Sequence, residues 1–137
     1  MTVIVAKELN TALAALREHH DARLIQGGTD LMVEINFNPV KPTTMISLRA
    51  VASLRAIRRD QPGKLSIGSG VPYSVIEGEP VLSVIPALAQ AARTVGSPQI
   101  RAAGSLGGNL GTCSPAGDTL PVMFALDAMI HLKTLDS

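Results

Sequence analysis

The sequence predicts a mixed helix-and-strand protein built as two small lobes, and three observations carry that expectation. Residues 1 to about 48 place short apolar runs and helical spacings in an order that suits a βαβ-like lobe. A turn signal, "QPG" at 61–63, separates two runs of partial alternation, the mark of a hairpin that opens a second lobe running from residue 49 to 137. Helical patterns follow the hairpin. With 137 residues, 46% of them hydrophobic and 17% charged, the chain is long enough for one compact domain or for two lobes that share an interface.

Each element follows from its local pattern. In "KELNTALAALREHH", Leu9, Leu13 and Leu16 recur at helical spacing with charge on the other face, which predicts a first helix. After Asp21, "ARLIQ" is a short apolar run stopped by Gly27 and Gly28, and "TDLMVEI" then resumes behind a capping residue: strand, glycine turn, short helix. Pro39 and Pro42 end that helix, and "TMISL" reads as another strand. "LRAIRRD" and "KLSIGSG" form the hairpin arms. Ser74 and Glu77 stand at capping-box spacing, predicting a helix start just after the "GVPY" bend. "PALAQAARTVG" has proline at its first turn and glycine past its end, the asymmetry expected of a helix. Near the C-terminus, "TLPVMFALDAMI" reads as a buried helix and "IHLKTL" as the start of a strand.

Composition narrows the function classes. The net charge is +1, from 12 basic and 11 acidic side chains, so the chain carries no field suited to a polyanion, and nucleic acid is not an expected partner. The single Cys113 cannot form an internal disulfide, and "MTVIVAKELN" lacks the basic start and long apolar core of a secretory signal, which together point to the cytoplasm. Gly, Pro or a charge interrupts every apolar run before the roughly 18 residues a bilayer span requires, so no direct membrane insertion is expected. Phe37, Tyr73 and Phe124 are the only aromatic residues, and a flat ligand would find few rings to stack on. Any bound ligand is held mainly by backbone and small polar groups.

Two glycine-rich stretches have the chemistry to do that. Glycine lets amides converge on a ligand because no Cβ blocks the approach. In "LIQGGTDLMVE" the pair Gly27-Gly28 lies between strand and helix, and Thr29 could donate its hydroxyl to phosphate. Asp30 suits a helix cap or a ribose hydroxyl better than a phosphate, which it repels. "RAAGSLGGNLGTCSPAGD", residues 101–118, holds five of the 12 glycines, with Ser105, Asn109, Thr112 and Ser114 as hydroxyl and amide donors and Asp118 as an acceptor. The set suits a pyrophosphate flanked by a sugar. Neither stretch matches G-x-G-x-x-G or a Walker pattern, which argues against a Rossmann or P-loop site. The other notable side chains have plainer readings: Cys113 as a small filler, His19 and His20 at a helix end, His131 with no ligand-spaced partner, the Arg55, Arg58 and Arg59 group as a solvated face, and the methionines between Leu120 and Met129 as core.

The segments "LIQGGTDLMVE", "SPQIRAAGSLGGNLGTCSPAGDTLPV" and "ALDAMIHL" resemble the flavoprotein subunits of molybdenum hydroxylases, a family that includes carbon monoxide dehydrogenase medium chains and xanthine dehydrogenase FAD domains. The likeness covers nearly the whole chain. It implies an α+β, two-lobed FAD-binding domain of the PCMH type, a small N-terminal lobe at 1–48 and a larger mixed-sheet lobe at 49–137, with FAD in the cleft between them. It implies further that Ile25, Gln26, Gly27, Gly28, Thr29, Asp30 and Leu31 wrap the FAD pyrophosphate, and that Ser105, Gly107, Gly108 and Asn109 hold its other side. Thr112, Ser114 and Asp118 match family positions that contact phosphate, ribose or nearby backbone. Ala102 and Ala103 replace the family's Asn and a variable polar residue, and Ser105 replaces Thr while keeping the hydroxyl. Family chains continue through more of the second lobe and a further C-terminal domain, so Ser137 is expected to be a premature end.

The implied function is electron transfer. FAD takes electrons from an iron-sulfur subunit, in a complex with a molybdopterin-containing large subunit, and passes them to an external acceptor. On that expectation no side chain is a catalytic acid, base or nucleophile, and no metal is held. The competing expectation is a shortened nucleotide-binding or assembly module that keeps only the pyrophosphate cradle; a stand-alone flavin oxidase or reductase is a third.

Overall fold

A computed structural model describes residues 1–136. Its first lobe is a three-stranded parallel sheet: β1 (Thr2–Val5), β2 (Arg23–Ile25) and β3 (Thr44–Ser47), in the order β1-β3-β2. In register, β3 places Met45 opposite both Val3 and Arg23, and Ile46 opposite Ile4 and Leu24. The central strand is the buried one, since Thr44, Met45 and Ile46 are each shielded while the edge strands stay largely exposed. β1 is not among the predicted elements. Thr2, Val3, Ile4 and Val5 are β-formers but do not alternate in polarity, so only pairing with β3 identifies the strand.

Helix α1 (Leu9–Glu18) covers one face of this sheet. The predicted stripe is present, but the fully buried positions are Ala12 and Ala15, with Leu9 and Leu16 packed around them. Small residues there let the helix approach Ile46 closely. Ala6 and Val51 complete this core, and Ile46, wholly buried, contributes about 1.5–3 kcal/mol relative to its exposed state. Helix α2 (Leu31–Phe37) follows the first glycine turn and buries Ile35; Lys41 Nζ donates to the Ile35 carbonyl near its C-terminal end.

A short 3₁₀ turn at Ala52–Arg55 leads into the predicted hairpin, β4 (Ile57–Gln61) with β5 (Lys64–Ile67), antiparallel, its turn made by Gly63 at φ +76°. Among the described residues this hairpin is the second lobe's sheet, and six helices build the rest: α3 (Tyr73–Ile76), α4 (Val81–Val84), α5 (Pro86–Thr94), α6 (Pro98–Ala103), α7 (Leu106–Thr112) and α8 (Leu120–Ala125). Val71, Tyr73, Ile76, Val81, Leu88, Ala89, Ala92 and Leu106 form its core, against which Ile57, Leu65 and Ile67 of the hairpin pack.

Four local readings need correction. Helix α3 begins at Tyr73 behind Pro72, not at a Ser74–Glu77 capping box, because the Glu77 carboxylate is drawn to Arg101 Nε 3.2 Å away. The second glycine-rich stretch is largely helical: Ser97 caps α6 by accepting from the Ile100 amide, and Ser105 caps α7 by accepting from the Gly108 amide. Helix α8 buries none of its residues completely; Val122 and Met123 touch the core while Phe124 is 88% exposed. The segment 130–135 forms no strand, having no strand beside it to supply a ladder.

Candidate functional site: a cleft between two glycine turns

Where β2 ends, the chain turns through Gly27 and Gly28, the latter at φ +76°, a left-handed conformation that an L side chain rarely adopts. Among the glycines, Gly27 leaves the least room for a side chain. A Cβ there would sit 2.0 Å from the Ala103 carbonyl oxygen and 3.1 Å from Gly104 Cα, so this glycine is the point at which the first turn presses against the end of α6. Two more glycines serve the same purpose. A Cβ on Gly107 would lie 2.4 Å from Ser69 Cβ, and one on Gly70 would lie 2.7 Å from Gln26 Nε2. The Tyr73 amide donates to the Gly104 carbonyl at 3.1 Å, and the Pro72–Ser105 bridge fastens the second stretch to the entry of α3.

These contacts frame a cleft of about 690 Å3, within the range of ordinary ligand sites. It brings together Ile25, Gln26, Gly27, Gly28, Thr29, Asp30 and Leu31 from one side with Ser105, Gly107, Gly108, Asn109 and Thr112 from the other. Ser114 and Asp118 do not line it. Ser114 shapes the turn that follows α7: its Oγ accepts from the Ala116 amide and its carbonyl from the Gly117 amide. Asp118 is exposed, yet near enough to Tyr73 for its charge to act on the phenol.

The two walls differ in what they offer. Along the first turn, the amides of Gly27, Gly28, Thr29 and Asp30 have no acceptor within the described residues, and the Asp30 side chain makes no cap bond to α2. On the second wall the Gly107 amide donates to the Ser69 carbonyl at 2.9 Å and the Gly108 amide to Ser105 Oγ at 3.1 Å. Free donors are therefore concentrated on the first turn, while the second supplies hydroxyl and amide side chains and a close wall. Gln26 Oε1 and Asn109 Oδ1 are buried without a hydrogen-bond partner among the described residues.

Sequence reasoning missed Tyr73 and Ser69, both of which line the cleft. Tyr73 forms part of the floor, with Gly104 and Thr29 Oγ1 close by, since a Cβ on Gly104 would stand 3.5 Å from each. Its hydroxyl is 3.5 Å from Thr119 Oγ1, long for a hydrogen bond. Burial pushes the phenol above its ordinary value of 10.0; Thr119 pulls it down, and the Asp30 and Asp118 charges push it further up. The signal that could have found Tyr73 is its place as the sole tyrosine, immediately after "GVP".

A flavin dinucleotide tests well against these residues. Its diphosphate needs unpartnered donors and close backbone approach, and the first turn and its glycine contacts provide both. Its sugar hydroxyls need acceptors, which Asp30 and the orphaned amide oxygens of Gln26 and Asn109 supply.

Comparison with known proteins agrees with that chemistry. A family model described as the FAD binding domain in molybdopterin dehydrogenase matches residues 1–137. The chain is 39% identical over 132 residues to the nicotinate dehydrogenase FAD-subunit of Eubacterium barkeri, covering 94% of this chain and 44% of that one. It is 34% identical over 128 residues to the caffeine dehydrogenase subunit beta of Pseudomonas sp. strain CBB1, covering 92% and 43%. The fold superposes with a TM-score of 0.81 on a chain of carbon monoxide dehydrogenase from Hydrogenophaga pseudoflava, at 26% identity over 87% of this chain and 42% of that one. The chain thus spans less than half the length of the relatives it matches. In described residues, no helix is long and apolar enough to cross a membrane. With both glycine-rich segments lining one cleft and its whole length matched, the chain belongs to the family of FAD-binding domains of molybdopterin dehydrogenases.

Proposed function

We propose that this chain is the FAD-binding part of an electron-transfer subunit in a molybdenum hydroxylase, taking electrons from an iron-sulfur subunit and passing them to an external acceptor. The molybdopterin-containing large subunit is the third partner. The observation that carries the reading is the meeting of the first glycine turn with the second glycine-rich stretch: Gly27 lies against Ala103 at the end of α6, and residues from both segments line one cleft. FAD, when bound, supplies the redox chemistry, exchanging electrons singly or in pairs.

The protein's part is to bind and orient. The amides of Gly27, Gly28, Thr29 and Asp30 are free to donate to phosphate oxygens, and hydrogen bonds to charged groups contribute about 1.5–3 kcal/mol each. Thr29 and Ser105 add hydroxyl hydrogens; the Ser105 oxygen already accepts from Gly108, which leaves its proton available. Asn109 and Thr112 continue the second wall. Ile25 and Leu31 flank the first turn with apolar surface, and Gln26 sets its side chain across Gly70. Asp30 accepts from a ribose hydroxyl. Ser114 and Asp118 act from outside the cleft, by shaping the turn after α7 and by charge.

Two measurements test this. The full natural polypeptide, purified with FAD, should emerge yellow with stoichiometric flavin; a colourless product that takes up no FAD in titration would refute the binding reading and leave an assembly role. In the assembled complex, the flavin should be reduced on mixing with the enzyme's substrate only when the iron-sulfur subunit is present. Equal rates without it would refute the electron path.

A further inference from the structure

Outside the cleft itself, one half-buried charge cluster joins three helices behind its second wall. Arg101 Nη1 donates to the carbonyls of Gly96 at 2.9 Å and Val95 at 3.4 Å, at the end of α5. Its Nε, screened from solvent, lies 3.2 Å from Glu77 Oε2 but off the line of a hydrogen bond, so the pair is held by charge. The two side chains are only 18% and 29% exposed. Glu77 is itself fixed from the other side, because Arg93 Nη2 of α5 donates to its carbonyl at 3.2 Å. Arg101 therefore ties α6 to the C-terminal ends of both α3 and α5.

The location gives this knot its consequence. Helix α6 runs from Pro98 to Ala103, and Arg101 is two residues before the carbonyl against which Gly27 presses. Val95 and Ile100, which flank the knot in sequence, both line the cleft. Any rotation of α6 moves the Ala103 carbonyl and Gly104, and with them the spacing between the glycine turns. α6 has six residues, fewer than two turns, too short to hold its own orientation without outside anchors.

We infer that Arg101, paired with Glu77, is a positioning residue for the cofactor site: it fixes the orientation of α6 and so sets the width of the cleft between Gly27 and Gly104. The inference rests on the FAD-binding reading above. It assigns to Arg101 no contact with the cofactor. A planar fork that reaches two carbonyls and a carboxylate at once suits arginine and not lysine, whose single ammonium cannot span all three.

The test separates positioning from general stability. FAD dissociation constants are measured by fluorescence titration at a temperature where each apo variant of the full natural polypeptide retains wild-type far-UV circular dichroism, alongside apo melting temperatures. For Arg101→Met the expected result is about a tenfold weaker FAD affinity, equivalent to about 1.4 kcal/mol. Arg101→Lys should recover only part of it. Glu77→Gln keeps the carbonyl bonds and removes the charge; it should weaken binding by roughly threefold, and it decides the matter if Arg101→Met does not fold. A lowered melting temperature with unchanged FAD affinity in the folded variants would overturn the inference, as would full rescue by lysine. If the wild-type chain itself takes up no FAD, the binding reading fails and this inference falls with it, whereas wild-type binding with indifferent variants refutes the inference alone.

Discussion

Replacing Gly27 by alanine is the sharpest probe of the cleft. The new methyl would lie 2.0 Å from the Ala103 oxygen, 2.6 Å from its carbonyl carbon and 3.1 Å from Gly104 Cα. Every one of these is a backbone atom, so no side chain can swing aside. Relief to the 3.0 Å that real Cβ contacts keep requires the first turn and the end of α6 to part by at least 1.0 Å. Overpacking on this scale costs about 3 kcal/mol, or roughly 10 °C of melting temperature for a chain of this size. The larger effect falls on the ligand: donors displaced by an ångström no longer reach both edges of a diphosphate, and FAD affinity should drop by about 100-fold. Differential scanning fluorimetry of the apo protein and flavin titration measure the two losses. Gly111→Ala is the control for the stability loss alone, because a Cβ there meets nothing within 4 Å although the residue lines the cleft; removing a helical glycine should raise apo stability by about 0.5–1 kcal/mol. A Gly27→Ala protein with wild-type melting temperature and wild-type flavin affinity would show that the two turns are not in contact, and the account of the site would be wrong.

Further outcomes follow from single interactions. Ser105→Ala removes the cap on α7 and should cost about 1 kcal/mol, with faster hydrogen exchange at the Gly108 amide; unaltered exchange there would deny the cap. The Thr43 hydroxyl donates to Asp21 at 2.6 Å and is the main cause that lowers the Asp21 pKa below 3.8, with His19 and His20 adding to it. That contribution is present above pH 3.8 and is lost as pH falls through the lower folded value, so Thr43→Val should move the Asp21 carboxyl titration, followed by NMR, back up toward 3.8. Tyr73 works in the opposite sense. Its folded pKa is raised, chiefly by burial, so the native state keeps the proton longer than the unfolded chain and stability declines as pH rises above 10.0. Since Tyr73 is the only tyrosine, ultraviolet absorbance follows it directly, and Thr119→Val should shift tyrosinate formation to still higher pH; a shift downward would mean that the Thr119 contact opposes ionisation.

By itself the sequence determined the parts of this protein that depend on near neighbours. Helical spacing from Leu9 to Leu16, the Gly63 turn of the hairpin and the Pro86-to-Gly96 frame of α5 were all legible, because capping, backbone freedom and apolar periodicity act within a few residues. The two glycine-rich segments were legible as well, as donor-rich stretches of unusual composition. Tertiary structure decided what those glycines are for. The sequence reading gave Gly107 and Gly108 amides to the ligand, whereas the fold spends them on Ser69 and Ser105 and leaves the free donors on the first turn. It also drew the Glu77 carboxylate away from a local cap to Arg101, 24 positions along the chain, and paired β1 with β3 across the length of α1, β2 and α2. The physical reason is common to these cases: a hydrogen-bonding group has one partner at a time, and where that partner comes from a distant segment, local pattern holds no record of the choice.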